Sequence, residues 1–169
     1  RAFGWASESW ARHTAEVGAP AYLYYFAHIP PYGHIRSPIP GSDRHREEGA
    51  AHGAECQYVL NDPMGHPFSD QYPPTESDFA MADIMSDYWV AFATSGKPDV
   101  KGLPAWQAYT DDARHYIRFE NAAAQPGQNL LPGMWEFMDE DVNRRLTLPG
   151  VGRDYYAVGI ASPVLPSGA

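Results

Sequence analysis

Phe3, Ala6, Trp10, Thr14 and Val17 follow one another at spacings of three and four. That period predicts an opening helix with these residues on its inner face, and Gly18 supplies its stop. Between Pro20 and Pro30 the run Ala21 to Ala27 reads AYLYYFA, continuous rather than alternating. Unbroken apolarity of this length fits a strand buried on both faces, as in a mostly parallel sheet covered by helices. From His28 to Glu48 prolines and glycines break every period, so a loop is expected, with charges gathered between Asp43 and Glu48. A second apolar segment, Cys56 to Leu60, follows the sequence GAAHGAE, and another proline-rich stretch runs from Asp62 to Pro74.

The clearest helix is Glu76 to Thr94. Thr75 and Asp78 form an N-terminal capping pair, with Asp in place of the usual Glu. Met81, Met85, Tyr88, Trp89 and Phe92 make its apolar stripe, and Gly96 and Pro98 end it. Tyr116 to Phe119 alternates enough for a short strand. Leu131 to Leu146 reads as a further amphipathic helix with Trp135, Met138 and Val142 on one side. The expected division is therefore a folded segment, residues 1–146, and a Gly- and Pro-rich tail, residues 147–169. No internal repeat is visible.

Two or three strands and three or four helices make an α/β inventory. So short a sheet would leave large apolar surfaces open to water. The chain is accordingly expected to form part of a larger folding unit. Trp5, Trp10, Tyr22, Tyr24, Tyr25, Phe26, Tyr88, Trp89 and Phe92 sit at spacings that fit strand and helix cores, and core packing is their expected role.

Composition narrows the function classes. Hydrophobic residues make up 44% and aromatic residues 14% of the 169 positions, which argues against disorder. Fifteen glycines and sixteen prolines point to much loop and few long elements. Twenty-one acids against twelve Lys and Arg give a net charge of −9, the wrong sign for neutralising phosphates, so no nucleic-acid partner is expected. That negative surplus slightly favours neutral or cationic substrates. No apolar run approaches the roughly 20 residues that span a bilayer. The single cysteine, Cys56, excludes an internal disulfide and a multi-cysteine zinc site, and suits an exported bacterial protein and a cytosolic one alike. Arg1 is followed by no charged-then-apolar leader.

Seven histidines are the first candidates for chemistry. His13, His28, His34, His66 and His115 lie on a mixed helix face, beside prolines, or ahead of a strand, without metal-ligand spacing. Ordinary structural or solvated roles are expected of them. His52 stands apart. Gly49, Ala50, Ala51, Gly53 and Ala54 surround it with side chains no larger than a methyl, so a substrate or another backbone could approach the ring closely.

GAAHGAE at Gly49 to Glu55, with the apolar run ending at Leu60, resembles the catalytic-histidine loop of the type-B carboxylesterases, which include the para-nitrobenzyl esterases and cholinesterases. AYLYYF at Ala21 to Phe26 is similar to the late sheet strand that precedes that loop. MSDYWVAFATSGKPD at Met85 to Asp99 and LPAWQAY at Leu103 to Tyr109 resemble the family's following helix and turn. The Trp135 helix looks like its terminal helix. The likeness spans roughly Phe3 to Leu146, while the tail from Thr147 departs from the pattern. Cys56 stands where such proteins usually carry an aliphatic residue, and is read as a small buried hydrophobe.

The resemblance implies the C-terminal part of an α/β-hydrolase fold and of a serine ester hydrolase, without cofactor or metal. His52 would be the general base and acid of a Ser-His-Glu/Asp triad. An imidazole accepts the serine proton near neutral pH and returns it to the leaving alcohol. Glu55 resembles the family's carboxylate behind the histidine, a supporting group rather than the triad acid. The serine on its G-x-S-x-G elbow, the acid and the oxyanion loop would come from an N-terminal portion of the same enzyme, since no such elbow occurs here. The implied substrate is a small-molecule ester. Two rivals remain: a cholinesterase-like adhesion or binding module lacking the nucleophile, and a small free-standing domain with a metal or binding site. His52 speaks against the first, and the scattered histidines and incomplete sheet against the second.

Overall fold

The computed structural model describes residues 2–34, 36–38, 45–47 and 50–147. The described residues fall into two compact units. One draws on the described residues within 2–23, 108–115 and 128–147, the other on those within 24–107 and 116–127.

The first unit is built on two helices, α1 (Ala2–Glu16) and α4 (Met134–Leu146). They touch at Gly4, where a Cβ would lie 3.1 Å from the Trp135 ring. Asp139 of α4 accepts from Trp5 Nε1 at 2.8 Å and from both terminal nitrogens of Arg12, at 2.8 and 3.2 Å. The helix forms where the sequence predicts it, but a different face turns inward. Trp5, Glu8 and Ala11 are buried, whereas Trp10 is 67% and Val17 81% exposed. The reason is polar. Glu8 is buried because the Tyr109 hydroxyl donates to its Oε1 at 2.5 Å, a partner that apolar periodicity does not register.

The second unit holds a three-stranded sheet and the longest helix. β1 (Tyr24–Phe26) pairs in parallel with β4 (His115–Glu120), with Tyr24 opposite Ile117 and Phe26 opposite Phe119. β4 in turn neighbours β5 (Ala123–Gln128), which the sequence does not predict. Asn121 and Ala122, both at positive φ (51° and 55°), form the two-residue turn that joins them. The parallel pairing is as expected, but β1 is only three residues long. Upstream of it the Ala21 carbonyl bonds to the Tyr109 N–H instead of a ladder. Tyr25 is 42% exposed, so β1 is not covered on both faces among the described residues. β2 (Arg36–Pro38) and β3 (His45–Glu47) pair antiparallel inside the stretch read as loop.

Cys56 to Leu60 forms neither loop nor strand but a one-turn helix, α2 (Cys56–Val59). Beyond it, α3 (Glu76–Ser95) starts on a capping box made by Thr75 and Asp78 and stops at Gly96, whose φ of 75° closes the helix in the left-handed region. Met81, Met85 and Tyr88 of α3 are fully buried, as are Ile117 and Phe119 of β4, and the Tyr88 ring meets Phe119 at 5.8 Å. Tyr24, Tyr88, Trp89, Trp106 and Phe119 form a cluster of edge-to-face and tilted rings with centroids 5.3–6.3 Å apart. The last residue of the predicted stripe, Phe92, lies outside this core at 47% exposure. Of the tail expected over 147–169, all but Thr147 lies outside the described residues. Among the described residues no helix is long and apolar enough to cross a membrane.

Candidate active site

His52 lies on a compact turn. Ala54 N–H bonds to the Ala51 carbonyl at 3.1 Å and Cys56 N–H to the Gly53 carbonyl at 3.2 Å, leading directly into α2. Gly53 has a φ of 82°, a conformation that costs side-chain-bearing residues about 1–2 kcal/mol. The backbone therefore favours glycine immediately after His52. The imidazole is exposed, with Ala51 exposed and Ala54 buried beneath the turn.

Glu55 follows at the start of α2, half-buried. The Tyr24 hydroxyl of β1 donates to its Oε1 at 3.4 Å. Burial and the Glu55 charge push the Tyr24 phenol up to about 12, so it stays a proton donor throughout the neutral range. Glu55 is thus held from the strand that precedes the histidine loop. Cys56, read from the sequence as a buried hydrophobe, is exposed instead. A single turn of helix has one inward position, and Tyr58 occupies it.

Tyr58 leads to a cluster that the sequence reading missed. Its hydroxyl donates to Asp78 Oδ1 at 2.7 Å, and His28 Nε2 meets the same oxygen at 2.9 Å. An ionised carboxylate only accepts, so that nitrogen carries a proton. The backbone N–H and the hydroxyl of Thr75 donate to Asp78 Oδ2 at 2.8 and 2.6 Å. Burial alone would raise the Asp78 carboxyl; the bonds from Thr75, Tyr58 and His28 outweigh it and hold the group below the usual carboxylate range. Burial and the same Asp78 bond push the Tyr58 phenol upward. His28, Tyr58 and Asp78 are all at most 5% exposed. His28 was expected to be unremarkable beside its prolines. One signal could have found it: a capping Asp uses one oxygen and leaves the second for another donor.

The other histidines take modest places. His66 stacks on Tyr32 at a centroid distance of 3.8 Å and accepts from the Phe68 N–H. His13 bonds to the Ser9 carbonyl one helical turn back. Among the described residues no three His, Cys, Asp or Glu side chains gather as a metal ion would need.

Comparison with known proteins places this arrangement. The profile of the "Carboxylesterase family" matches residues 2–137. Rabbit (Oryctolagus cuniculus) liver carboxylesterase 1 is 32% identical over 128 residues, covering 76% of this chain and 20% of that protein. Carboxylesterase 4A of Bos taurus is 33% identical over 105 residues, 62% of this chain and 17% of its own length. The chain thus spans about a fifth of the relatives it matches. Among solved structures, an esterase from Clostridium hathewayi described as hydrolysing aliphatic aromatic polyesters superimposes with a TM-score of 0.56 at 20% identity, over 77% of this chain and 23% of that one. A carboxylesterase of Geobacillus stearothermophilus gives 0.53 at 24% identity, over 72% and 22%. The fold is therefore part of an α/β-hydrolase, as the sequence motifs implied, and the chain belongs to the carboxylesterase family.

Proposed function

We propose that this chain is the C-terminal segment of a serine carboxylic-ester hydrolase, residues 1–146 completing its domain and His52 serving as the triad histidine. The observation that carries the reading is an exposed imidazole on a hydrogen-bonded turn of small residues, within a chain of the carboxylesterase family. A serine hydroxyl attacks an ester carbonyl only as its proton leaves. His52 takes that proton, and the new C–O bond forms as the carbonyl pair moves onto oxygen. On collapse His52 returns the proton to the departing alcohol. Water then attacks the acyl carbon as its proton passes to His52; on collapse the acyl–serine bond breaks, the acid leaves and His52 returns the proton to the serine oxygen. The serine, the triad carboxylate and the oxyanion donors come from the N-terminal portion of the same enzyme. Glu55 supports the histidine turn from behind, held by Tyr24.

The test uses the full-length protein. His52→Ala should lower kcat by about 10³-fold or more with little change in KM, and a fluorophosphonate probe should label a serine upstream of this segment in the parent. Near-normal turnover of the variant would remove His52 from its role. A folded parent that takes no label would move the protein to the non-catalytic binding modules of this fold.

A further inference from the structure

The geometry points to Tyr58 and Asp78 as positioning residues for His52, an inference that rests on the base role proposed above. The connection is short and continuous. Five residues separate His52 from Tyr58, and the intervening turn and α2 are closed by successive backbone bonds, among them those from Tyr58 and Val59 N–H to the Glu55 carbonyl at 3.0 Å each. α2 has four residues, too few to hold a helix by its own hydrogen bonds. Its one fully buried side chain, Tyr58, is tied to Asp78, and Asp78 is fixed on the first turn of the twenty-residue α3 by Thr75.

The same oxygen of Asp78 receives His28, two residues beyond β1, and the His28 ring lies edge-on to Tyr58 at 5.1 Å, with Phe26 5.3 Å from Tyr58. Gln57 adds a bond to the Tyr32 hydroxyl at 3.3 Å, and Glu55 the bond from Tyr24. The turn that carries His52 is therefore clamped to β1 on one side and to α3 on the other.

A buried carboxylate with four donors is a poor way to gain stability, because apolar side chains of similar volume commonly do as well. Here the cluster also leaves His28 Nδ1 buried with no hydrogen-bond partner among the described residues. What the arrangement supplies is direction. A phenol has few rotatable bonds, and a carboxylate saturated by four donors cannot swing, so Tyr58 fixes the rotation of α2 about its axis. A displacement of about 1 Å at a reacting group can lower a rate by about 10²-fold.

The experiment is a mutant cycle in the full-length enzyme. Tyr58→Phe, which deletes one hydroxyl, should lower kcat by about 10-fold or more with KM unchanged within about twofold, per active site counted by fluorophosphonate labelling. Asp78→Asn should behave in the same direction and provides the second variant. In a His52→Ala background Tyr58→Phe should lower the residual rate no further, because its effect travels through the missing ring. A Tyr58→Phe enzyme with parental kcat, or one whose full loss persists without His52, overturns the positioning role and leaves the base assignment standing. Normal turnover by His52→Ala overturns both.

Discussion

Among the described residues each unit buries one carboxylate almost completely, Asp78 at 2% and Glu8 at 1% exposure, and the two are treated in opposite ways. Asp78 meets four donors from three residues, His28, Tyr58 and Thr75. Glu8 accepts from the Tyr109 hydroxyl through one oxygen, while Oε2 has no hydrogen-bond partner among the described residues. Arg12 and Arg114 act on Glu8 through space, while they form ion pairs with Asp139 and Glu136 respectively. The contrast separates two uses of a buried charge. A saturated one ties neighbouring segments to each other; a half-satisfied one is expected to tolerate replacement. The saturated one lies in the unit that carries the His52 turn.

Removal of the carboxylate should separate them most sharply. Asp78→Ala strands the Tyr58 hydroxyl and His28 Nε2 in the interior and deletes the α3 cap, and should cost about 3–5 kcal/mol in urea unfolding of the full-length protein. A loss below about 1 kcal/mol would show that the cluster does not anchor its unit.

Acidification comes next. The Asp78 carboxyl lies below its ordinary value of 3.8, so its contribution is present above that pH and is lost as pH falls through the still lower native value. Asp139, where burial opposes but the bonds from Arg12 and Trp5 prevail, has the same sign. Urea midpoints should therefore decline below about pH 4. Asp78→Ala should flatten that decline, and an unchanged slope would exclude Asp78 as a source of it.

The smallest effect is expected at Glu8→Gln. The amide oxygen keeps the Tyr109 bond, and the charge that lacked a partner disappears, so stability should change by less than about 1 kcal/mol. A larger loss would mean that the through-space pull of Arg12 and Arg114 holds the first unit together.

Much of the second unit is readable along the chain because its signals are local. Thr75, Asp78 and Gly96 bracket α3 by capping chemistry, and small residues flank His52 within five positions. What escaped reading depends on distance or on context. His28 and Asp78 are fifty residues apart and meet only because β1 and α3 pack in one unit. β5 contains Pro126 and Gly127, poor strand formers, and exists because β4 and the Asn121–Ala122 turn place it in the ladder. The inward face of α1 was misassigned because its central residue, Glu8, is charged. Cys56 was misassigned because one turn of helix gives four neighbouring side chains four different surroundings.

The brevity of α2 has a thermal corollary. An element of four residues keeps its shape only while Tyr58, Gln57 and Glu55 keep their grips, whereas α3 is long enough to survive the loss of several contacts. On warming, the segment around His52 should slacken first, so that catalysis fades while circular dichroism still reports an intact protein. Coincident curves for the two signals would instead make the segment as sturdy as the helix behind it.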